Sequence, residues 1–232
     1  TDFHSNGPMC SATRAALLTG RYQHRYGRNF EGALSQKRPE EGLPREAVTI
    51  ADVLQQAGYA TGVYGKWHLG FQPPHLPPQQ GFDDFRGLLT GGGDHHSHIN
   101  RSGGKDWWHN NDIEMESGYS THLITQHSQD FIREHREEPF FLYVAHLAIH
   151  FPWQGPEDDG YREEGVDYWE NKHGVPRGSN VGPKTKAMIE SLDESVGDIY
   201  ATLEELGLDE KTFVIFASYN GGYLTYAGGF HN

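Results

Sequence analysis

Two apolar runs of strand length limit the folds open to this chain. Residues 139–145 read Pro-Phe-Phe-Leu-Tyr-Val-Ala and residues 212–217 read Thr-Phe-Val-Ile-Phe-Ala, without the polar alternation of a strand that has one wet face. Strands of that composition are buried on both faces, as in parallel sheets covered by helices. A helical pattern precedes each run. Ile124, Phe131 and Ile132 line one side of a helix that ends near the charged residues 133–138. Met188, Ile189, Leu192, Val196, Ile199, Leu203 and Leu206 form one stripe over residues 184–206, stopped by Gly207. Earlier, Ile50, Val53, Leu54 and Ala57 recur at helical spacing ahead of Gly58, and a short strand follows at 61–64. This alternation predicts an α/β fold, with a mostly parallel sheet flanked by helices on both faces. Residues 71–111 and 155–182, rich in glycine and polar groups, read as loops.

Length and charge bound the function. A chain of 232 residues suffices for one well-cored domain or for most of a larger one. With 19 Lys and Arg against 32 Asp and Glu the net charge is −13, which argues against nucleic acid as a partner, because phosphate binding needs a basic surface. Any anion site must therefore be cationic locally. The single cysteine, Cys10, excludes an internal disulfide. No stretch reaches the length of a membrane span. The opening Thr-Asp-Phe, in place of a methionine or a leader, reads as the interior of a longer protein.

In open α/β sheets the chemistry collects at the carboxyl ends of strands. Four polar segments fall at such ends or at the helix that follows: residues 10–14, residues 65–70, residues 146–152 and residues 218–222. The first reads Cys-Ser-Ala-Thr-Arg and runs into Ala15-Ala16-Leu17-Leu18, a short helix stopped by Gly20, so Cys10 is expected at a helix N-terminus, where backbone N–H groups favour anions. The second reads Gly-Lys-Trp-His-Leu-Gly, the third ends His150-Phe151-Pro152, and the fourth reads Ser-Tyr-Asn-Gly-Gly. Taken singly, Lys66 would be a solvated lysine on a turn, His68 a half-buried histidine beside Trp67, Arg14 a snorkelling side chain and Asn220 a turn residue. His95, His96 and His98 do not match zinc-ligand spacing and read as a solvated loop. Asn100-Arg101-Ser102 is a glycosylation sequon that matters only in a eukaryotic secretory pathway.

Together and in this order, the motifs resemble the type I sulfatases, an arylsulfatase-like family of alkaline-phosphatase-like architecture, over nearly the whole chain. The resemblance implies residues 1–232 are a catalytic domain that lacks an N-terminal strand and a C-terminal part. It implies hydrolysis of sulfate esters, with Cys10 converted to formylglycine by a formylglycine-generating maturase. Its hydrate would attack sulfur and later expel sulfate. Arg14 would hold the diol, Lys66 the sulfate oxygens, His68 would be the base, and His150 would protonate or hydrogen-bond the leaving oxygen, with His146 as the rival for that role. Asn220 and the modified Cys10 would be ligands of Ca²⁺. The substrate would be a sulfated small molecule or carbohydrate, and the compartment periplasmic or secreted. Two alternatives remain open: a non-catalytic sulfatase-like fragment that has lost the metal site, and a phosphoester or phosphonate hydrolase on the same architecture. Tyr219 stands where the family carries an aspartate, no paired aspartates precede Thr1, and no lysine follows residue 222, all of which weaken the metal site.

Overall fold

The computed structural model describes residues 4–168 and 181–220. Helix α1 spans Cys10–Thr19 and α2 Ile50–Gln56, with α3 at Ser120–Glu134 and α4 at Val181–Glu205. Strands β1 (Ala60–Lys66), β2 (Asp84–Leu88), β3 (Trp108–His109), β4 (Asp112–Ile113) and β5 (Phe140–Ala145) form one sheet in the order β4-β3-β2-β1-β5. Pairing of β1 with β2 and with β5 is parallel, whereas the β2–β3 and β3–β4 pairs are antiparallel. The sheet is thus parallel at its centre with an antiparallel edge.

Alternation along β1 and β5 sends side chains into two cores. Val63, Phe141 and Tyr143 face a cluster with Ala15 and Leu18 of α1, Ala51 of α2, Trp67, Phe82 and Phe85. On the opposite face Tyr64, Leu142 and Val144 meet Ile124 and Phe131 of α3. Trp67, Phe85 and Ile124 are fully buried, and burying a side chain of that size contributes about 2–3 kcal/mol. Helix α1 has the Ala/Leu composition of a strong helix former and ends where Gly20, at φ +64°, donates its N–H to Ala16 O at 2.9 Å. Gly65 (φ +112°) pairs with both Gly87 (φ +147°) and Ala145, and a Cβ on either glycine would strike neighbouring backbone. The carboxyl end of the sheet closes there, just ahead of Lys66.

Four expectations need correction. Residues 71–111 contain β2, a strand hidden by two charged residues in Asp-Phe-Arg-Gly-Leu; its Phe85 and Leu88 are nonetheless buried. Residues 212–217 form no strand, and Phe213 is 89% exposed. No described strand lies beside them, and an apolar run becomes a strand only where a ladder partner takes its backbone groups. The stripe assigned to α2 points outward, with Ile50 and Val53 exposed and Ala51 buried, because Thr49 caps the helix (accepting from Asp52 N at 3.0 Å) and donates to Gln80 O at 2.8 Å, turning Ala51 inward. Helix α4 is likewise rotated from its predicted stripe. It buries Thr185, Met188, Ser191 and Ser195 and exposes Ile189, since its hydroxyl residues pack on α3, as in the 2.6 Å bond from Thr125 Oγ1 to Ser195 Oγ.

Candidate active site

Residues from α1, the β1 turn and the loop after β5 converge at the carboxyl end of the sheet. Cys10 occupies the first turn of α1, and its Sγ lies 3.0 Å from His68 Nδ1. The other ring nitrogen, Nε2, lies 3.0 Å from Leu34 O; a carbonyl only accepts, so Nε2 carries the proton and Nδ1 is free to accept from Cys10. Burial and then the charge of Lys66 hold His68 well below the usual histidine pKa, against the pull of the Leu34 carbonyl. The ring is a neutral base facing Cys10. His68 also adopts φ +56°, a left-handed backbone rare for a side chain of this size, fixed by its N–H to Leu89 O at 3.1 Å.

Arg14, one turn along α1, is buried beneath this pair. Its Nη1 donates to Lys66 O and to Tyr143 Oη (3.2 Å), and its Nη2 donates to Tyr219 Oη at 2.7 Å. Burial works against the guanidinium charge, but the two phenol oxygens outweigh it and hold the pKa above its ordinary value. Lys66 is 1% exposed, and its Nζ has no hydrogen-bond partner among the described residues. A buried ammonium without a partner costs several kcal/mol, so this position asks for an anion.

His150 completes the cluster. Its Nδ1 donates to Phe151 O at 2.6 Å, leaving Nε2 as an acceptor, and burial followed by the Lys66 charge holds its pKa well below the usual range. Lys66 and His68 both act on His150 electrostatically. His146 is directed elsewhere: its Nε2 lies 3.0 Å from Ser195 Oγ on α4, and burial alone lowers its pKa to about 4. Of the two rivals, His150 is the one beside Lys66. Two adjacent glycines make room for both site histidines. A Cβ on Gly91 would sit 2.6 Å from His68 Cε1, and one on Gly92 would sit 2.9 Å from His150 Cε1.

The histidine loop is not solvated as expected. His95 and His98 are fully buried, because the Asp94 carboxylate accepts from the backbone N–H of His96, Ser97, Tyr161 and Arg162 and folds the segment inward. His95 then donates from Nε2 to His150 O at 3.1 Å and accepts at Nδ1 from Ser120 Oγ at 2.9 Å, anchoring the His150 backbone to α3. Sequence reasoning missed His95, Gly91, Gly92 and Tyr143 as parts of the site. The Gly91-Gly92-Gly93 run was the one available signal.

Asn220 donates from its amide nitrogen to Gly7 O at 3.3 Å, which leaves one side-chain oxygen. Gly221 and Gly222 of that motif lie outside the described residues. Tyr219 accepts from Arg14 where a carboxylate would be wanted, and no group of three or more His, Cys, Asp or Glu able to hold a metal occurs among the described residues. Ca²⁺ takes six to eight oxygens. The described residues by themselves therefore do not fit it.

The family model named Sulfatase matches residues 1–232, and the chain belongs to the sulfatase family. Among curated relatives, arylsulfatase J of Mus musculus is 32% identical over 96% of this chain and 36% of its own length. N-acetylgalactosamine-6-sulfatase of Mus musculus is 32% identical over 96% of this chain and 43% of its own. The chain thus spans less than half the length of these relatives. Among solved structures, Ps i-CgsB in complex with k-i-k-neocarrahexaose superposes with a TM-score of 0.71 at 29% identity, covering 88% of this chain and 46% of that one. No helix among the described residues is long and apolar enough to cross a membrane.

Proposed function

We propose that this chain carries the oxyanion-binding and nucleophile-bearing part of a sulfatase that hydrolyses sulfate esters. The observation that carries the reading is the buried Lys66 Nζ, without a hydrogen-bond partner among the described residues, beside the Cys10–His68 pair. Converted to formylglycine by a maturase, Cys10 would supply a hydrated aldehyde whose hydroxyl attacks sulfur. The remaining steps belong to residues already in place. His68 Nδ1, with Nε2 pinned by Leu34 O, accepts the proton of the nucleophile. Lys66 holds the sulfate oxygens, and the Arg14 guanidinium adds a second positive charge where negative charge builds. His150 Nε2 is an acceptor at rest, so it donates to the leaving oxygen only after gaining a proton. A bound sulfate ester offsets the Lys66 charge that opposes that gain.

A sulfated carbohydrate is the proposed substrate class, since one relative is an N-acetylgalactosamine-6-sulfatase and the Ps i-CgsB structure was solved with k-i-k-neocarrahexaose. A periplasmic or secreted location is proposed with it. Bound Ca²⁺ would need further oxygen ligands beyond the described residues. The small oxygen set and Tyr219 favour a second reading, an anion-binding sulfatase-like protein without turnover. Sulfate release from an aryl sulfate and a sulfated oligosaccharide, by the complete protein coexpressed with the maturase, decides between them. Turnover is expected, with loss on Cys10→Ala and a fall of about 100-fold or more on Lys66→Met. Turnover that survives Cys10→Ala, or that prefers aryl phosphate, refutes the proposal; tight sulfate binding without turnover establishes the second reading.

A further inference from the structure

Arg14 and Lys66 are each 1% exposed, and among the described residues no carboxylate offsets Arg14: its partners there are the Lys66 carbonyl and the phenols of Tyr143 and Tyr219. Two buried cations meeting one neutral shell leave the pocket positive, and the balancing charge must arrive with a ligand. Tyr219 is placed to do more than fill space. Its oxygen accepts from Arg14 Nη2 at 2.7 Å and the guanidinium lies 4.8 Å over its ring, so its own O–H proton points away from Arg14. No acceptor for that proton occurs among the described residues. Tyr219 also interacts electrostatically with Lys66 and Cys10 of the same cluster.

We propose that the Tyr219 hydroxyl donates a hydrogen bond to the substrate oxyanion held by Arg14 and Lys66. This rests on reading the pocket as an oxyanion site. A phenol polarised by a guanidinium is a strengthened donor, and a donor to an anion makes the stronger kind of hydrogen bond. A carboxylate at 219 would pair with Arg14 and cancel half of the pocket's positive charge. Tyrosine keeps both charges available and adds a donor.

Inorganic sulfate is the probe, titrated calorimetrically into the complete protein in EDTA. Tyr219→Phe keeps the ring over Arg14 and removes only the hydroxyl; sulfate affinity is expected to fall about 10-fold or more. Tyr219→Asp is expected to weaken sulfate further, and Lys66→Met to abolish binding. To separate a direct bond from support of Arg14, Tyr219→Phe is repeated in an Arg14→Lys background, which keeps the buried charge. A loss that persists there supports donation to the anion. A loss that vanishes there makes Tyr219 a prop for Arg14 and overturns the inference. Unchanged or tighter binding by Tyr219→Phe, with Lys66→Met inactive in binding, also overturns it and leaves the oxyanion site standing. Unchanged binding in both variants overturns the oxyanion site itself.

Discussion

Acidification from pH 7 to 5 is expected to destabilise this protein steeply, through His95 and His98. Both are fully buried, and burial lowers each from 6.5 to about 4. His95 needs its neutral form, donating to His150 O and accepting from Ser120 Oγ, and the His98 ring stacks on Trp107 at 4.3 Å. The unfolded chain binds protons at these positions from pH 6.5 downward, while the folded protein binds them only near pH 4. Stability therefore rises with pH across that window, and is lost as pH falls through it. Each histidine accounts for about 3 kcal/mol between pH 6.5 and 4, so the pair approaches half of a typical domain's stability. The His98 charge lowers His95, and the His96 charge lowers both, so proton uptake at the cluster is coupled. Urea unfolding at pH 7, 6 and 5 reads the slope directly. From pH 6 to 5 these two histidines are expected to cost about 2–3 kcal/mol, and His98→Asn should recover about 1 kcal/mol of the whole slope. To that slope His68, His146 and His150, also held low by burial, add, and Asp106, raised to about 7, is opposed. Asparagine suits this test because residue 98 has φ +54°, a conformation asparagine tolerates. Equal stability at pH 7 and 5, or an unchanged slope in His98→Asn, would refute the reasoning.

Gly92→Ala is expected to push the His150 ring from its place, since the new Cβ would lie 2.9 Å from Cε1 and Nδ1; sulfate release should fall at least 10-fold while circular dichroism is preserved, and normal turnover would mean the loop yields instead. Thr49→Ala removes the side-chain acceptor of the capping box on α2 and should lower stability by about 1 kcal/mol without altering sulfate affinity, measured by thermal melting and calorimetry.

How much of this could be read from residues alone depends on which interactions are local. The start of α1 at Cys10, the turn after β1 that delivers Lys66 and His68, and helix α3 were legible, because propensity and apolar spacing agree within each segment. Strand β5 was legible as a strand, but it is only partly buried over residues 140–144 rather than buried on both faces, since it stands at the edge of the described sheet with β1 as its neighbour. Strand β2 was not, since its pattern mixes Asp84 and Arg86 with buried Phe85; those two charges are tied up by Tyr64, His109, Glu114 and Glu116 at the sheet edge, partners up to 30 residues distant in sequence. The run at 212–217 shows the opposite failure, a strong local preference with no described ladder partner to realise it.

The site divides along the same line. Motif order singled out Cys10, Arg14, Lys66, His68 and His150, and the fold gathers them because the first two turns of α1, the end of β1 and the loop after β5 meet at the carboxyl end of the sheet. Their protonation states were not legible, since these follow from carbonyls far along the chain: Leu34 fixes the His68 tautomer across 34 residues, and His95 reaches the His150 carbonyl across 55. Tyr219 illustrates why that distinction matters for function. In sequence it reads as a damaged ligand position beside Asn220. In three dimensions it lies on Arg14, 205 residues away, where a carboxylate would have silenced a buried cation. A substitution that looks like loss by motif thus acts, by contact, on the charge that an arriving oxyanion meets.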